Sequence, residues 1–394
     1  MENQGQNIVF FGASLVSAYW NEAATYFRGI AKELHKLGHR VTFCEPDIFD
    51  RQKYRDLSEP HWCDVLVYPQ DIEDLKFLLD KVRQKADVVI KTSNVGIFDG
   101  FLEREISSMG KDVKLTIFWD VDAPETLDRV EKNRKDPFLE LIPEFDLILT
   151  NGGGHPVRQG YLHKGARECL PIYNALDITT HNRVDPDSLF EGTLGFLGHR
   201  LVDRDARVEE FFIKPATRLS DKGFILGGCG WETLSLPKNI RHLGHVYTRD
   251  HNAFNSTPKA VMNISCDSVA KSGYAPTTRI FEAAGAAACI ITDYWKGIEG
   301  FFEPGKEILV AHNGKEVEEI LADLTPAKAR IIGEAAYDRV INEHNYQHRA
   351  QLLGATLSEF CARKEGQLVP LMGRGQGYNG IEGRIPQGLR PITN

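Results

Sequence analysis

At 394 residues the chain exceeds what one hydrophobic core comfortably serves, and two domains are expected. Its 42% hydrophobic and 26% charged residues describe an ordinary globular protein. A formal net charge of −8, with no basic run, argues against a protein that lives on nucleic-acid backbones. No apolar segment approaches bilayer length and Met1 is followed by polar residues, so neither a membrane span nor a signal peptide is expected. The seven cysteines, Cys44, Cys63, Cys169, Cys229 and Cys266 among them, lack CxxC spacing, which points to a reducing, cytoplasmic setting without a disulfide framework or zinc ribbon.

In chain order, "NIVFFG" (7–12) is an apolar run stopping at a glycine and predicts a buried strand. From Glu22 to Leu37, the residues Ala23, Phe27, Ile30, Leu34 and Leu37 recur at helical spacing and end at Gly38. "RVTFCEP" (40–46) is the next strand, and a strand, helix and strand so close together form a parallel βαβ unit. "DVLVYP", "DVVIKTS", "LTIFWD" and "DLILTN" continue the alternation, so residues 1–183 are expected to form a doubly wound, Rossmann-like domain. The polar "NRVDPDSLFEG" (182–192) is the expected linker. "TLGFLGHR", "GFILGGCGW", "IRHLGHV", "AVMNIS", "ACIITD" and "EILVA" then predict a second Rossmann-like domain over 184–345. Thr325 as N-cap with Pro326 behind it opens one helix, and another is expected over 346–364. The glycine- and proline-rich stretch 365–394 is expected to be an irregular tail. Two such domains in tandem would bring the carboxyl ends of both sheets to a central cleft, where open α/β sheets take ligands.

The stretch "PTTRIFEAAGAAACIITD" (276–293) carries the most chemistry. Thr277 or Thr278 can cap a helix whose free N–H groups and positive dipole end suit an anion. Arg279 adds a fixed charge matched to phosphate oxygens. Glu282, one turn on, would repel a phosphate but suits the hydroxyls of a ribose, because a carboxylate accepts from a diol. The plainer alternative is a capped helix with a surface arginine and a dipole-favoured glutamate.

Other candidates follow strand ends. Gly12 and Ser14, with Thr25 and Arg28 beyond, form a turn after the first strand that is not a GxGxxG fingerprint but could contact donor phosphate or acceptor. Asp120 or Asp122 in "FWDVDAPETL" could take a proton from an acceptor hydroxyl; alternatively Asp122 caps the helix near Pro124. "TNGGGHP" offers Gly153 and its neighbours as an oxyanion cradle, or simply a loose turn, with His155 beside it. "GHVYTRDHNAFN" gathers His245, His251, Asn252 and Asn255 at a spacing poor for a helical metal site, and no metal is expected. Cys229 in "GGCGW" is expected to be a small buried residue in a turn.

Taken together, "FLGHR", "GFILGGCG", "NIRHLGHV", "RIFEAAGAAACIITD" and "GIEGFFEPGKEILVA" resemble the donor domain of GT-B glycosyltransferases. With "SLVSAYWNEAATYFRGI", "FWDVDAPETL", "NGGGHPV" and "LPIYNALD", the chain is similar to the CgeB-like, spore-maturation-type family over residues 7–362. The resemblance implies a GT-B fold and transfer of a sugar from a nucleoside-diphosphate donor, by preference a UDP-sugar, without a cofactor or metal. The acceptor stays open among glycan, small molecule, protein and nucleic acid. By the resemblance, Glu282 binds the donor ribose and Thr277, Thr278 and Arg279 sit at the diphosphate, with Gly273 and Tyr274 in the loop before them. Arg200 neutralises the leaving diphosphate, and His245 and Val246 fall where main chain meets the base. Tyr274 stands where the retaining E-x7-E pattern has its first glutamate, so that sugar contact is missing or differently supplied. A GT-B epimerase or phosphorylase, or a non-catalytic nucleotide-sugar binding protein, is the alternative.

Overall fold

Six apolar runs in the first part of the chain become strands β1 (Asn7–Phe11), β2 (Arg40–Pro46), β3 (Asp64–Tyr68), β4 (Val88–Thr92), β5 (Leu115–Asp120) and β6 (Leu147–Thr150), and a short seventh strand, β7 (Cys169–Pro171), joins them. They form one sheet in the order β3-β2-β1-β4-β5-β6-β7, every neighbouring pair parallel. Six more, β8 (Leu194–Leu197), β9 (Phe224–Gly227), β10 (Ile240–Gly244), β11 (Ala260–Asn263), β12 (Ile290–Asp293) and β13 (Leu309–Ala311), form a second parallel sheet in the order β10-β9-β8-β11-β12-β13. Each sheet reverses its winding once, between β1 and β4 in the first and between β8 and β11 in the second. That is the doubly wound Rossmann-like arrangement, and the crevice at such a reversal is where ligands of this architecture bind.

The computed structural model describes residues 5–19, 21 and 23–366. The expected tail therefore lies, apart from its first two residues, outside the described residues.

The chain divides into two units, residues 5–173 with 346–366 and Asn174–Asn345. The division falls earlier than the expected 183 because the 174–182 stretch is tied into the second unit. Asn174 Nδ2 donates to the Pro276 carbonyl at 3.3 Å, the Asn182 N–H reaches Asn252 Oδ1 at 3.4 Å, and Leu176 bridges to Asn345.

In the first unit, an aromatic layer of Phe10, Phe27, Phe43 and Trp119 fills the space between the sheet and the Ala23–Lys36 helix. The Tyr346–Lys364 helix packs on the same side. Gly29 makes that approach possible, since a Cβ there would sit 2.3 Å from the Tyr346 ring. Arg349, buried in that helix, donates from Nε to the Tyr173 carbonyl at 3.1 Å. In the second unit the apolar residues of β8, β9, β11 and β12 form the core with Phe211, Phe212 and Trp231. Pro326–Glu343 is helical with Thr325 as its cap, the Thr325 hydroxyl accepting from the Lys328 N–H at 3.2 Å.

Candidate functional site

The second unit carries the candidate site around the helix Thr278–Gly285, which follows β11 and leads into β12. Asn263, the last residue of β11, is the anchor: its Nδ2 donates to Thr292 Oγ1 at 3.0 Å and its Oδ1 accepts from Thr277 Oγ1 at 2.7 Å. The Thr277 hydroxyl is therefore committed to Asn263. It occupies the N-cap position without making a side-chain capping bond. The first N–H groups of a helix carry its positive dipole end, so this end is left suited to an anion. Arg279 lies in the same turn and has no carboxylate partner among the described residues.

The approach to this helix is strained. Gly273 and Tyr274 have φ of 70° and 52°. For tyrosine the left-handed conformation costs about 1–2 kcal/mol. It is held by the Tyr274 N–H bond to the Lys296 carbonyl at 2.7 Å and by the ring lying against Gly297, where a Cβ would come within 2.2 Å. Tyr274 thus fills its position with an aromatic ring laid on the neighbouring loop, not with an acid.

Beneath the helix, Asp293 is fully buried at the end of β12. Arg207 grips it with two guanidinium nitrogens, Nε at 2.9 Å, and the Ser265 N–H donates to it at 3.1 Å. Burial raises its pKa, against the pull of the guanidinium. On the other side of the β8–β11 reversal, Arg200 is exposed and paired with Asp205 at 2.7 Å. A diphosphate there must compete with that carboxylate. His245 is exposed, its ring parallel to that of His199 at 6.2 Å and edge-on to Tyr247 at 4.6 Å. Val246 is buried, and its carbonyl meets His251 Nε2 at 3.2 Å. Cys229 is exposed, against expectation, because its turn projects beyond β9.

Glu282 faces two histidines that sequence spacing did not single out together. Its Oε1 is 3.7 Å from His181 Nε2, and His181 lies 6.2 Å from His251, ring centre to ring centre. Burial and the nearby Arg279 push the His251 pKa down to about 4. His181 belongs to the stretch after "YNALD" and carried no signal of its own; only the tertiary fold brings it to the helix.

Several candidates in the first unit are structural. Ser14 is buried, its hydroxyl donating to the equally buried Glu45 at 2.9 Å. Arg28 clamps two loops, reaching the Leu15 carbonyl at 2.6 Å and both oxygens of Asp56. Gly12 is a glycine because a Cβ would lie 2.3 Å from the Phe43 ring. The Ser14 hydroxyl and the Arg28 guanidinium are thus engaged within the unit, so a contact with donor phosphate or acceptor would compete with these bonds. Asp120 is engaged likewise: it is fully buried, accepting from the Tyr161 hydroxyl and from the Asp122 N–H at 3.0 Å. Burial beside Asp120 pushes the Tyr161 hydroxyl pKa up, so its proton stays in place. Gly153, at φ 83°, is the turn into the Gly154–His163 helix; a Cβ there would strike Val157 at 2.1 Å.

Asp122 differs. It sits at the N-cap position of the Ala123–Lys132 helix, makes no capping bond, and accepts from Asn94 Nδ2. It lines a cavity of about 460 Å³ at the carboxyl ends of β4 and β5, together with Asn94, Asp99, Glu103 and Arg129. Behind Asp99 and Glu103 lies Lys91, fully buried and paired with both.

Comparison with solved structures identifies the class of fold. Anabaena HepE, crystallised in complex with UDP-glucose, superposes with a TM-score of 0.66 at 15% identity, over 90% of this chain and 100% of that one. Sucrose-phosphate synthase from Thermosynechococcus elongatus gives 0.63 at 12% identity, over 91% and 100%. T4 phage BGT in complex with its UDP-glucose substrate gives 0.54 at 12% identity, over 91% and 98%. The two parallel Rossmann-like sheets are those of the GT-B fold. Within it, residues 204–355 match the family model described as Glycosyl transferase-like. No curated protein sequence matches the chain. Among the described residues, no helix is long and apolar enough to cross a membrane.

Proposed function

We propose that the protein is a glycosyltransferase that moves a sugar from a nucleoside-diphosphate donor, of the UDP-sugar class, to an acceptor hydroxyl. The observation that carries this is the start of the Thr278–Gly285 helix, where Thr277 makes no side-chain cap and Arg279 beside it has no carboxylate partner among the described residues, inside the segment that matches the glycosyl transferase-like family. An anion-binding helix end at the carboxyl edge of a doubly wound sheet is where a diphosphate is held. Glu282, a turn further on, accepts from the ribose diol. The imidazole of His245 and the Tyr247 ring beside it give the base a surface to stack on.

As the donor bond breaks, negative charge grows on the departing diphosphate. Arg279, Arg200 and the helix N–H groups meet that charge, and preorganised stabilisation of this kind is commonly the largest catalytic contribution. The scheme needs no metal. Asp122, opening onto the first unit's cavity, takes the acceptor proton, and the carboxylates around it suit a polyhydroxylated acceptor. UDP-glucose in the HepE and BGT complexes supports uracil as the base. The resemblance of the first-domain motifs supports assignment to the CgeB-like group, and seven free cysteines support a reducing, cytoplasmic setting.

The test is a thermal-shift screen of nucleoside diphosphates and their sugars, since a ligand that binds only the folded state raises apparent stability. UDP and one UDP-sugar should raise the Tm, and slow hydrolysis of that sugar nucleotide should persist in EDTA. A chain indifferent to every nucleotide would overturn the proposal.

A further inference from the structure

His181, His251 and Glu282 come from three separate segments, yet their ligand-bearing atoms lie within 4.8 Å of one another. The hydrogen bonds around them fix what each presents. His251 Nε2 faces the Val246 carbonyl at 3.2 Å. A carbonyl only accepts, so Nε2 carries the hydrogen and Nδ1 is left with its lone pair. The Thr180 hydroxyl donates to the Asp177 carbonyl at 3.2 Å, so its oxygen accepts from His181 Nδ1 at 3.0 Å, and the lone pair of His181 is on Nε2. His181 Nε2 and His251 Nδ1 are buried and have no hydrogen-bond partner among the described residues, and His181 is only 8% exposed. Two nitrogen lone pairs and a carboxylate thus converge with no donor between them. Three acceptors at such a distance call for a cation.

We propose that these three residues form a binding site for a divalent transition-metal ion, with zinc as the ion the donor set fits. Two imidazoles and one carboxylate are the protein ligands of an open zinc site, and nitrogen donors select zinc, cobalt or nickel over magnesium and calcium. Each histidine already holds its second nitrogen against an oxygen, the outer-shell arrangement that orients metal ligands. Tetrahedral zinc ligands about 2.1 Å from the ion stand ~3.4 Å apart, so the 3.7 Å between His181 and Glu282 is within a few tenths of an ångström of that spacing, and the widest separation in the group, 4.8 Å at most, closes by side-chain shifts of up to ~1.5 Å. Arg279 weakens the site by its charge. Resting on the ribose assignment of Glu282, the proposal has a consequence: the metal and the donor's pentose compete for one carboxylate, so zinc inhibits and nucleotide displaces it.

The test uses the full chain stripped with EDTA. Zn²⁺ is titrated against a chromophoric chelator, and Co²⁺ is followed by its visible absorption. One equivalent should bind, with affinity falling at least tenfold in His251→Gln and His181→Gln but not in the control His163→Gln, an exposed residue of the first unit. Circular dichroism verifies folding, and Glu282→Gln replaces any variant that fails it. Added UDP should lower the apparent zinc affinity. Absence of stoichiometric binding, or binding unaltered in all three ligand variants, overturns the metal site; a proton shared between His181 and Glu282 would then occupy it. Zinc binding that ignores UDP leaves the metal site standing and removes the ribose assignment. UDP binding that needs Glu282, without any zinc binding, does the reverse.

Discussion

Arg207 holds the fully buried carboxylate of Asp293 with two nitrogens, and in doing so ties the end of β12 to the segment after β8. Ser265, just past β11, closes the arrangement from the third side. Removing one partner of a buried pair leaves an uncompensated charge. Arg207→Leu should therefore cost about 3–5 kcal/mol in urea unfolding, whereas the double replacement with Asp293→Leu should recover much of it. A single variant as stable as the parent would show the pair to be dispensable.

Arg279 should separate chemistry from folding. With no carboxylate partner among the described residues, Arg279→Ala removes no ion pair, and its Tm should stay within a degree or two of the parent. Loss of one donor to the developing charge should lower kcat by roughly 10²-fold. Steady-state kinetics with a UDP-sugar beside a melting curve decides it; equal losses in both would mark the residue as structural.

For Glu282, calorimetry with UDP is the direct measurement. Hydrogen bonds to a charged group contribute about 1.5–3 kcal/mol, so Glu282→Ala should weaken binding by roughly ten- to a hundredfold. Uridine compounds lacking the ribose hydroxyls should then bind parent and variant alike.

Acidification should destabilise the metal-free protein. His251 is held down to about 4 by burial and Arg279, and His39 is lowered by burial, while both titrate near ~6.5 once unfolded. A depressed folded pKa means the unfolded chain takes up protons first. This stability is complete above pH ~6.5 and is lost as pH falls through the folded values. His251 alone contributes on the order of 3 kcal/mol across that window. Denaturation curves at several pH values should flatten in His251→Gln; an unchanged slope would place the titration elsewhere.

The strands were legible because a parallel sheet covered on both faces needs unbroken apolar runs, and "RVTFCEP" and "LTIFWD" coincide with β2 and β5. β7 escaped notice: three residues at a sheet edge leave no pattern. Side-chain roles were less legible. Ser14 and Asp120 stand at strand ends as ligand-binding residues do, and only the fold reveals Glu45 and Tyr161 turned toward them. His181 was invisible for the opposite reason, since its partners lie far away in sequence. What the pattern did yield was the segment around Glu282, where a helix start, an arginine and an acid share one turn.

The bridge between Leu176 and Asn345 has its own implication, since it sets the two ends of the second unit side by side. In chain connectivity that unit is an insertion into the first, entered after Tyr173 and left before Tyr346. Such an arrangement tolerates excision and rejoining of termini. Evolution, or a protein engineer, could exchange the unit spanning Asn174–Asn345 at these two adjacent junctions without redrawing the unit that carries Asp122.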